Sequence, residues 1–229
     1  MRIGILGLAA LLAAQAAFAD TTSYTGTLAS PEDYFTVTVT MPVSGTLDLQ
    51  TWGFGGGTNA ASQVIPAGGF DSFVGVFAGT GPTATYIDGA SDILGSYGAG
   101  CPPAGTVNIG GGAVCGDITL SESLTAGTYT VLLSDAGYIP NAVFSSTGGT
   151  LGDDFTDFTG GAFQTCNTVG DNITCANDTA NWALDITTPK GEALSAVPEP
   201  GGLWALGLLL FLCTPQARRR LAATIPFKF

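Results

Sequence analysis

From Tyr34 to Met41 the chain alternates without a break. Phe35, Val37, Val39 and Met41 fall on one face, and Thr36, Thr38 and Thr40 on the other. A period of two with β-branched residues marks a half-buried strand. Pro42 to Gly45 carries turn residues, and the alternation resumes from Thr46 to Trp52 with Leu47 and Leu49 inward. This predicts a hairpin. A second hairpin is expected from Asp117 to Leu124, a Thr125-Ala126-Gly127 turn, and Thr128 to Ser134 with Tyr129, Val131 and Leu133 on one face. Ser72 to Ala78 and Asn181 to Thr187 read as further strands, the latter with Trp182, Leu184 and Ile186 inward. Between the two chain ends no stretch sustains a 3.6-residue period with caps. The expected fold class is all-β, an antiparallel β-sandwich of jelly-roll-like type.

The two ends break this pattern. Met1-Arg2, an apolar stretch from Ile3 to Ala14, and Ala17-Phe18-Ala19 have the form of a secretory signal peptide cleaved between Ala19 and Asp20. At the other end, Val197-Pro198-Glu199-Pro200 precedes an apolar run from Gly201 to Cys213, and then Arg218-Arg219-Arg220. As a helix the run is about 20 Å long, and about 25 Å if continued to Ala217, near the lower limit for a membrane span. The arginines stop the span and hold their end in the cytoplasm. The competing reading is a buried helix of a soluble core. The chain is thus expected to divide into a signal peptide (1–19), a β-sandwich domain (20–196), a C-terminal signal with a transmembrane helix (197–220) and a cytoplasmic tail (221–229).

Charge sharpens the picture. Seventeen of the 18 acidic residues, but of the six basic ones only Lys190, fall within 20–196, so the body carries a net charge of −16. Nucleic acid is excluded as a partner, because binding it depends on lysine and arginine neutralising phosphates. Acidic polysaccharide and anionic lipid are repelled, and divalent cations are attracted.

Catalysis finds little to work with. The chain has no histidine, which removes the Ser-His-Asp and Cys-His arrangements. One lysine in the body leaves no phosphoryl-transfer clamp. Carboxylate pairs that hydrolyse glycosides have no telling context, so the expectation is a non-enzyme without a cofactor. Calcium is the one ligand with candidate residues: Asp71 before a strand, with Asp88 and Asp92 in a Gly-containing loop. The alternative is ordinary turn aspartates. Gly53-Phe54-Gly55-Gly56-Gly57 and Gly110-Gly111-Gly112 lack the Gly-Lys-Ser/Thr ending of a phosphate loop and read as plain loops.

Cys101, Cys115, Cys166 and Cys175 lie in the body, and Cys213 in the apolar run. Four cysteines allow three pairings. Cys101–Cys115 and Cys166–Cys175 are favoured because each brackets one loop. Zinc is disfavoured, with no Cys-x-x-Cys spacing and no histidine. Trp52 with Phe54, or Tyr97, would supply stacking platforms for a carbohydrate. The Thr36, Thr38, Thr40 row is of the sort found on flat ice-binding faces. Asn172-Ile173-Thr174 and Asn177-Asp178-Thr179 are glycosylation sequons on either side of Cys175.

The three-part C-terminus, Val197-Pro198-Glu199-Pro200, apolar helix and arginine cluster, resembles the PEP-CTERM sorting signal of Gram-negative bacteria. The resemblance implies recognition of Pro198, Glu199 and Pro200 by an exosortase, and export linked to exopolysaccharide or biofilm. The nine residues after the arginines depart from its usual form. The body resembles the small β-sandwiches of the pre-peptidase C-terminal family through Asp33-Tyr34-Phe35-Thr36-Val37, Phe70 to Phe77, Leu124 to Val131, and Trp182 to Ile186. That resemblance implies an accessory or binding role. The function expected is an exported, non-enzymatic protein of the cell envelope or extracellular matrix. The alternatives are a carbohydrate- or calcium-binding adhesion module and an ice-binding protein.

Overall fold

The computed structural model describes residues 19–91, 105–189 and the backbone of 194–197. Asp92, Tyr97, Cys101, the Pro198-Glu199-Pro200 motif, the apolar run, Arg218 to Arg220 and all but the end of the leader lie outside the described residues. So do the transmembrane and cytoplasmic segments expected from the sequence. Among the described residues no helix is long and apolar enough to cross a membrane.

Two antiparallel sheets face each other. The first has the order β1 (Ala19–Thr27), β16 (Asn181–Pro189), β3 (Gly45–Thr51), β10 (Thr119–Leu124). The second has the order β17 (Leu194–Val197), β2 (Tyr34–Met41), β11 (Gly127–Asp135), β6 (Ser72–Ala78), β7 (Thr85–Ala90). Short ribbons decorate them: β4 (Gly57–Thr58) with β5 (Val64–Ile65), β8 (Thr106–Ile109) with β9 (Gly112–Cys115), β12 (Tyr138–Pro140) with β13 (Phe155–Asp157), and β14 (Gln164–Val169) with β15 (Asn172–Asn177). The all-β sandwich expected from the alternation is what the chain forms.

The core between the sheets is built from the apolar positions of that alternation. Val37, Val39 and Met41 of β2 and Val131 and Leu133 of β11 meet Leu47, Leu49, Leu184 and Ile186 of the facing sheet. Each such side chain contributes roughly 1.5–3 kcal/mol on burial.

Both expected hairpins are corrected. β2 and β3 do not pair, and neither do β10 and β11. β2 lies between β11 and β17, whereas β3 lies between β16 and β10. Pro42 to Ser44 and Thr125-Ala126 are therefore arches that carry the chain from one sheet to the other. The turn residues give the reversal in both cases. The inward residues decide the rest, because Met41 and Leu47 bury against each other's sheet instead of lying side by side in one.

β6 is buried on both faces. Val74 and Val76 point into the main core, while Phe73 and Phe77 point outward. The segment from Tyr138 to Phe155 folds over that outer face, and Ile139, Ala142, Leu151 and Phe155 close a second core on Phe73, Phe77 and Leu132. Gly75 makes the room: a Cβ there would meet the rings of Phe73 and Phe77 at 3.0 and 3.1 Å. One outer surface is thus partly roofed with apolar side chains. Among the described residues no apolar segment roofs the outer surface of the four-stranded sheet, and its central outward positions, Asp48, Gln50, Asp185 and Thr187, are polar.

The Gly53 to Gly57 segment is the loop expected, and an acid from within the fold caps its amides. Asp117, fully buried, accepts the backbone N–H of Phe54 at 3.1 Å and of Gly55 at 2.6 Å. Burial pushes its carboxyl pKa up, and the loop amides and Thr51 pull against that. Cys166 and Cys175 are directly opposed in the β14–β15 ribbon, with Cα atoms 4.0 Å apart, and form the expected disulfide. Cys115 is also disulfide-bonded, with a partner outside the described residues.

Candidate functional site

The polar outer face of the four-stranded sheet can be read off the register. One row runs Thr21, Thr187, Asp48, Ser121, and the next runs Ser23, Asp185, Gln50, Thr119. Neighbours in a row are about 4.8 Å apart, and the rows are about 6.6 Å apart along the strands. Trp52 follows directly after β3, and its backbone N–H donates to the carbonyl of Ala183 at 3.0 Å. Its ring therefore belongs to the outward side.

A wall rises beside this floor. Asn59 is buried and closes its own tight loop. Its Oδ1 accepts the Gln63 N–H at 2.8 Å, and its Nδ2 donates to Gln63 Oε1 at 2.8 Å. The loop is pinned to the floor at two points: Ala60 N–H donates to Asp185 Oδ2 at 2.8 Å, and Ala61 N–H to Ser23 Oγ at 3.1 Å.

Floor and wall enclose a groove of about 470 Å³, within the span of roughly 300–1,000 Å³ usual for small-ligand sites. Thr21, Asp48, Gln50, Trp52, Thr58 and Asn59 line it, with Thr119, Ser121, Asp185 and Thr187. Asp185 is the hub. It is 6% exposed and accepts hydrogen bonds from Ser23 Oγ, from Trp52 Nε1 at 2.8 Å and from Ala60 N–H. Its oxygens are committed to holding the groove together. Asp48 is exposed and accepts only the Ser121 hydroxyl among the described residues. The groove thus presents hydroxyls, the Gln50 amide, one aromatic ring and an open carboxylate oxygen. Among the described residues there is no lysine, arginine or histidine.

A second titratable cluster lies where the edge strands of the two sheets meet. Glu122 on β10 hydrogen-bonds Asp88 on β7, and its pKa is pushed up to about 7 by burial, that bond and the Asp88 charge. Tyr86 beside them is pushed up to about 12 by burial and by the Asp88 and Glu122 charges.

The sequence-derived candidates fall as follows. Trp52 is in the groove. Phe54, its expected companion platform, is 1% exposed and packs under Gly116, where a Cβ would lie 2.5 Å from the ring; it is core, not platform. Asp71 is buried before β6, while Asp88 stands opposite Val76. Five residues of strand, about 16 Å, separate the levels of the two carboxylates. Among the described residues no three acidic or thiol groups gather to hold a metal ion. Of the threonine row, Thr36 and Thr38 are half-buried and only Thr40 is exposed. Ala19 and Asp20 open β1 opposite Pro189 and Thr188, and Val197 closes β17 opposite Thr36. Asn172 and Asn177 of the sequons are exposed at the two ends of β15.

Asp48, Gln50, Asn59 and Asp185 were not singled out by the sequence. Three of them occupy outward positions of strands whose inward residues were legible, so the period-two pattern did contain them. Asn59 had no such signal, because its role depends on a loop folding back over strands distant in the chain. No family model matches the chain, and no curated protein matches it.

Proposed function

We propose that this chain is an exported, non-enzymatic protein of the bacterial cell envelope or extracellular matrix, and that it associates with extracellular polysaccharide through the groove on its four-stranded sheet. The observation that carries this reading is Trp52. Its ring lies in a groove of hydroxyls, amides and carboxylates, and its indole N–H is fixed by Asp185. Polyhydroxylated ligands are bound by such a combination: an aromatic surface for the C–H face of a sugar ring and fixed polar groups for its hydroxyls.

The absence of histidine and the commitment of Asp185 to three structural donors favour binding over turnover. Delivery rests on the two ends. The leader ending at Ala19 takes the chain across the inner membrane. The Val197-Pro198-Glu199-Pro200 signal, its apolar helix and Arg218 to Arg220 hold it there for an exosortase, which releases it to the cell surface or matrix. Cleavage after Ala19 would leave Asp20, already paired with Thr188, as the first residue of the sandwich.

The groove is tested by calorimetry of the full chain in detergent with a panel of neutral and amino oligosaccharides. Saturable binding that Trp52→Ala weakens at least tenfold is expected, and no binding by any oligosaccharide rejects the reading. The sorting step is tested by replacing Pro198, Glu199 and Pro200 with alanines. Accumulation of unprocessed protein in the inner membrane is expected, and unchanged surface delivery counts against it.

A further inference from the structure

Resting on the groove reading above, we infer that the preferred polymer carries free amino groups, and that Asp48 selects for them. Ser121 occupies one carboxylate oxygen of Asp48, and the other has no donor among the described residues. Asp48 is exposed in the groove, on the same row as Thr187 and Thr21. Asp185, diagonally across the floor, adds a second negative charge whose hydrogen-bonding capacity is already engaged.

A protonated amine would complete Asp48 with a charge-assisted hydrogen bond, the stronger class of such contacts. An acetylated amine or a hydroxyl can also donate to the carboxylate, but it brings no positive charge, so the ion-pair component is lost. A uronate meets two carboxylates, and among the described residues there is no cation to pair with it. The body charge of −16 adds a long-range field of the same sign, which steers cationic chains toward the surface and turns anionic ones away.

The experiment compares glucosamine oligomers, their fully N-acetylated counterparts and oligouronates on the full chain in detergent, at a pH that keeps the free amines protonated. Asp48→Asn removes the charge in the groove. Asp171→Asn, in the exposed turn between β14 and β15, removes one charge elsewhere. The expected result is that the amino oligomer binds about fivefold more tightly than the acetylated one, as an exposed ion pair allows. Asp48→Asn should abolish that margin, Asp171→Asn should preserve it, and oligouronates should not bind. If the acetylated oligomer binds as tightly, or the margin survives in Asp48→Asn, or Asp171→Asn erodes it equally, the selectivity assignment fails while the groove reading stands. If no oligomer binds, both fall.

Discussion

Trp52 and Asp185 are 133 residues apart in sequence and joined by a 2.8 Å hydrogen bond from indole Nε1 to Oδ2. The same carboxylate oxygen accepts Ala60 N–H, and its partner oxygen accepts Ser23 Oγ. One buried side chain on β16 therefore fixes a ring after β3, a loop before β5 and a hydroxyl on β1. Asp185→Ala would leave these donors without their acceptor in a largely enclosed place. The expected cost is about 2 kcal/mol of stability, read from the denaturant midpoint. Binding should weaken as much as in Trp52→Ala, because ring and wall lose their anchor together. A variant with unchanged midpoint and binding would show that the carboxylate is not the hub.

Gly69 lies against the backbone of two distant segments. Its N–H donates to Gly53 O at 2.9 Å, and an added Cβ would come within 2.3 Å of Asn181 O and 2.7 Å of Gly53 O. No rotamer change relieves a clash with main chain. Gly69→Ala is expected to lose about 2–3 kcal/mol. Gly68→Ala is a useful contrast. Its Cβ would meet open space, but its φ of +98° strains any other residue, so its cost is purely conformational.

The Glu122–Asp88 contact predicts a pH dependence with a definite sign. The folded protein holds the Glu122 proton up to about pH 7, against an ordinary value of 4.5. Between these values the folded state binds more protons than the unfolded one, so stability falls as pH rises. The contribution is complete below about 4.5 and gone once pH passes about 7. Solvent reaches much of the side chain, so the magnitude is under about 1 kcal/mol. Melting curves across this window should show the drop in the native chain, and Glu122→Gln should remove that increment. An unchanged slope in the variant would place the titration elsewhere.

Reducing Cys166–Cys175 should act locally. The bridge closes a ribbon that belongs to neither main sheet. The ribbon is tied to the body by the Phe163–Phe70 ring stack, the Thr165–Asp178 hydrogen bond and a 2.9 Å bond from Asn167 Nδ2 to Ile109 O. Cys166→Ser with Cys175→Ser is expected to release up to about 3 kcal/mol on the chain-entropy account. Amide exchange should accelerate across Gln164 to Asn177, while β6 and β11 keep their protection. Global unfolding would show that the ribbon is part of the cooperative unit.

What was legible in the sequence was whatever depended on near neighbours. The inward faces of β2, β3, β11 and β16 followed from alternation, and the Cys166–Cys175 pair from a short loop. What was hidden depended on partners far along the chain. Met41 and Leu47 flank a turn that looks like a hairpin, yet they belong to different sheets, because a period of two does not say which strand lies alongside. The glycine run after Trp52 gave no sign that Asp117 would fill it. Phe73 and Phe77 occupy positions that alternation assigns to solvent, until Ile139 and Phe155 cover them. Asp185 looked like an ordinary outward acid until three donors converged on it.

β1 has a consequence for timing. Among the described residues its sole strand partner is β16, with Thr27 opposite Asn181 and Ala19 opposite Pro189. β1 therefore gains this partner only when residues 181–189 have been made. Such distant closure is slow, and it makes the docking of β1 a late step of folding.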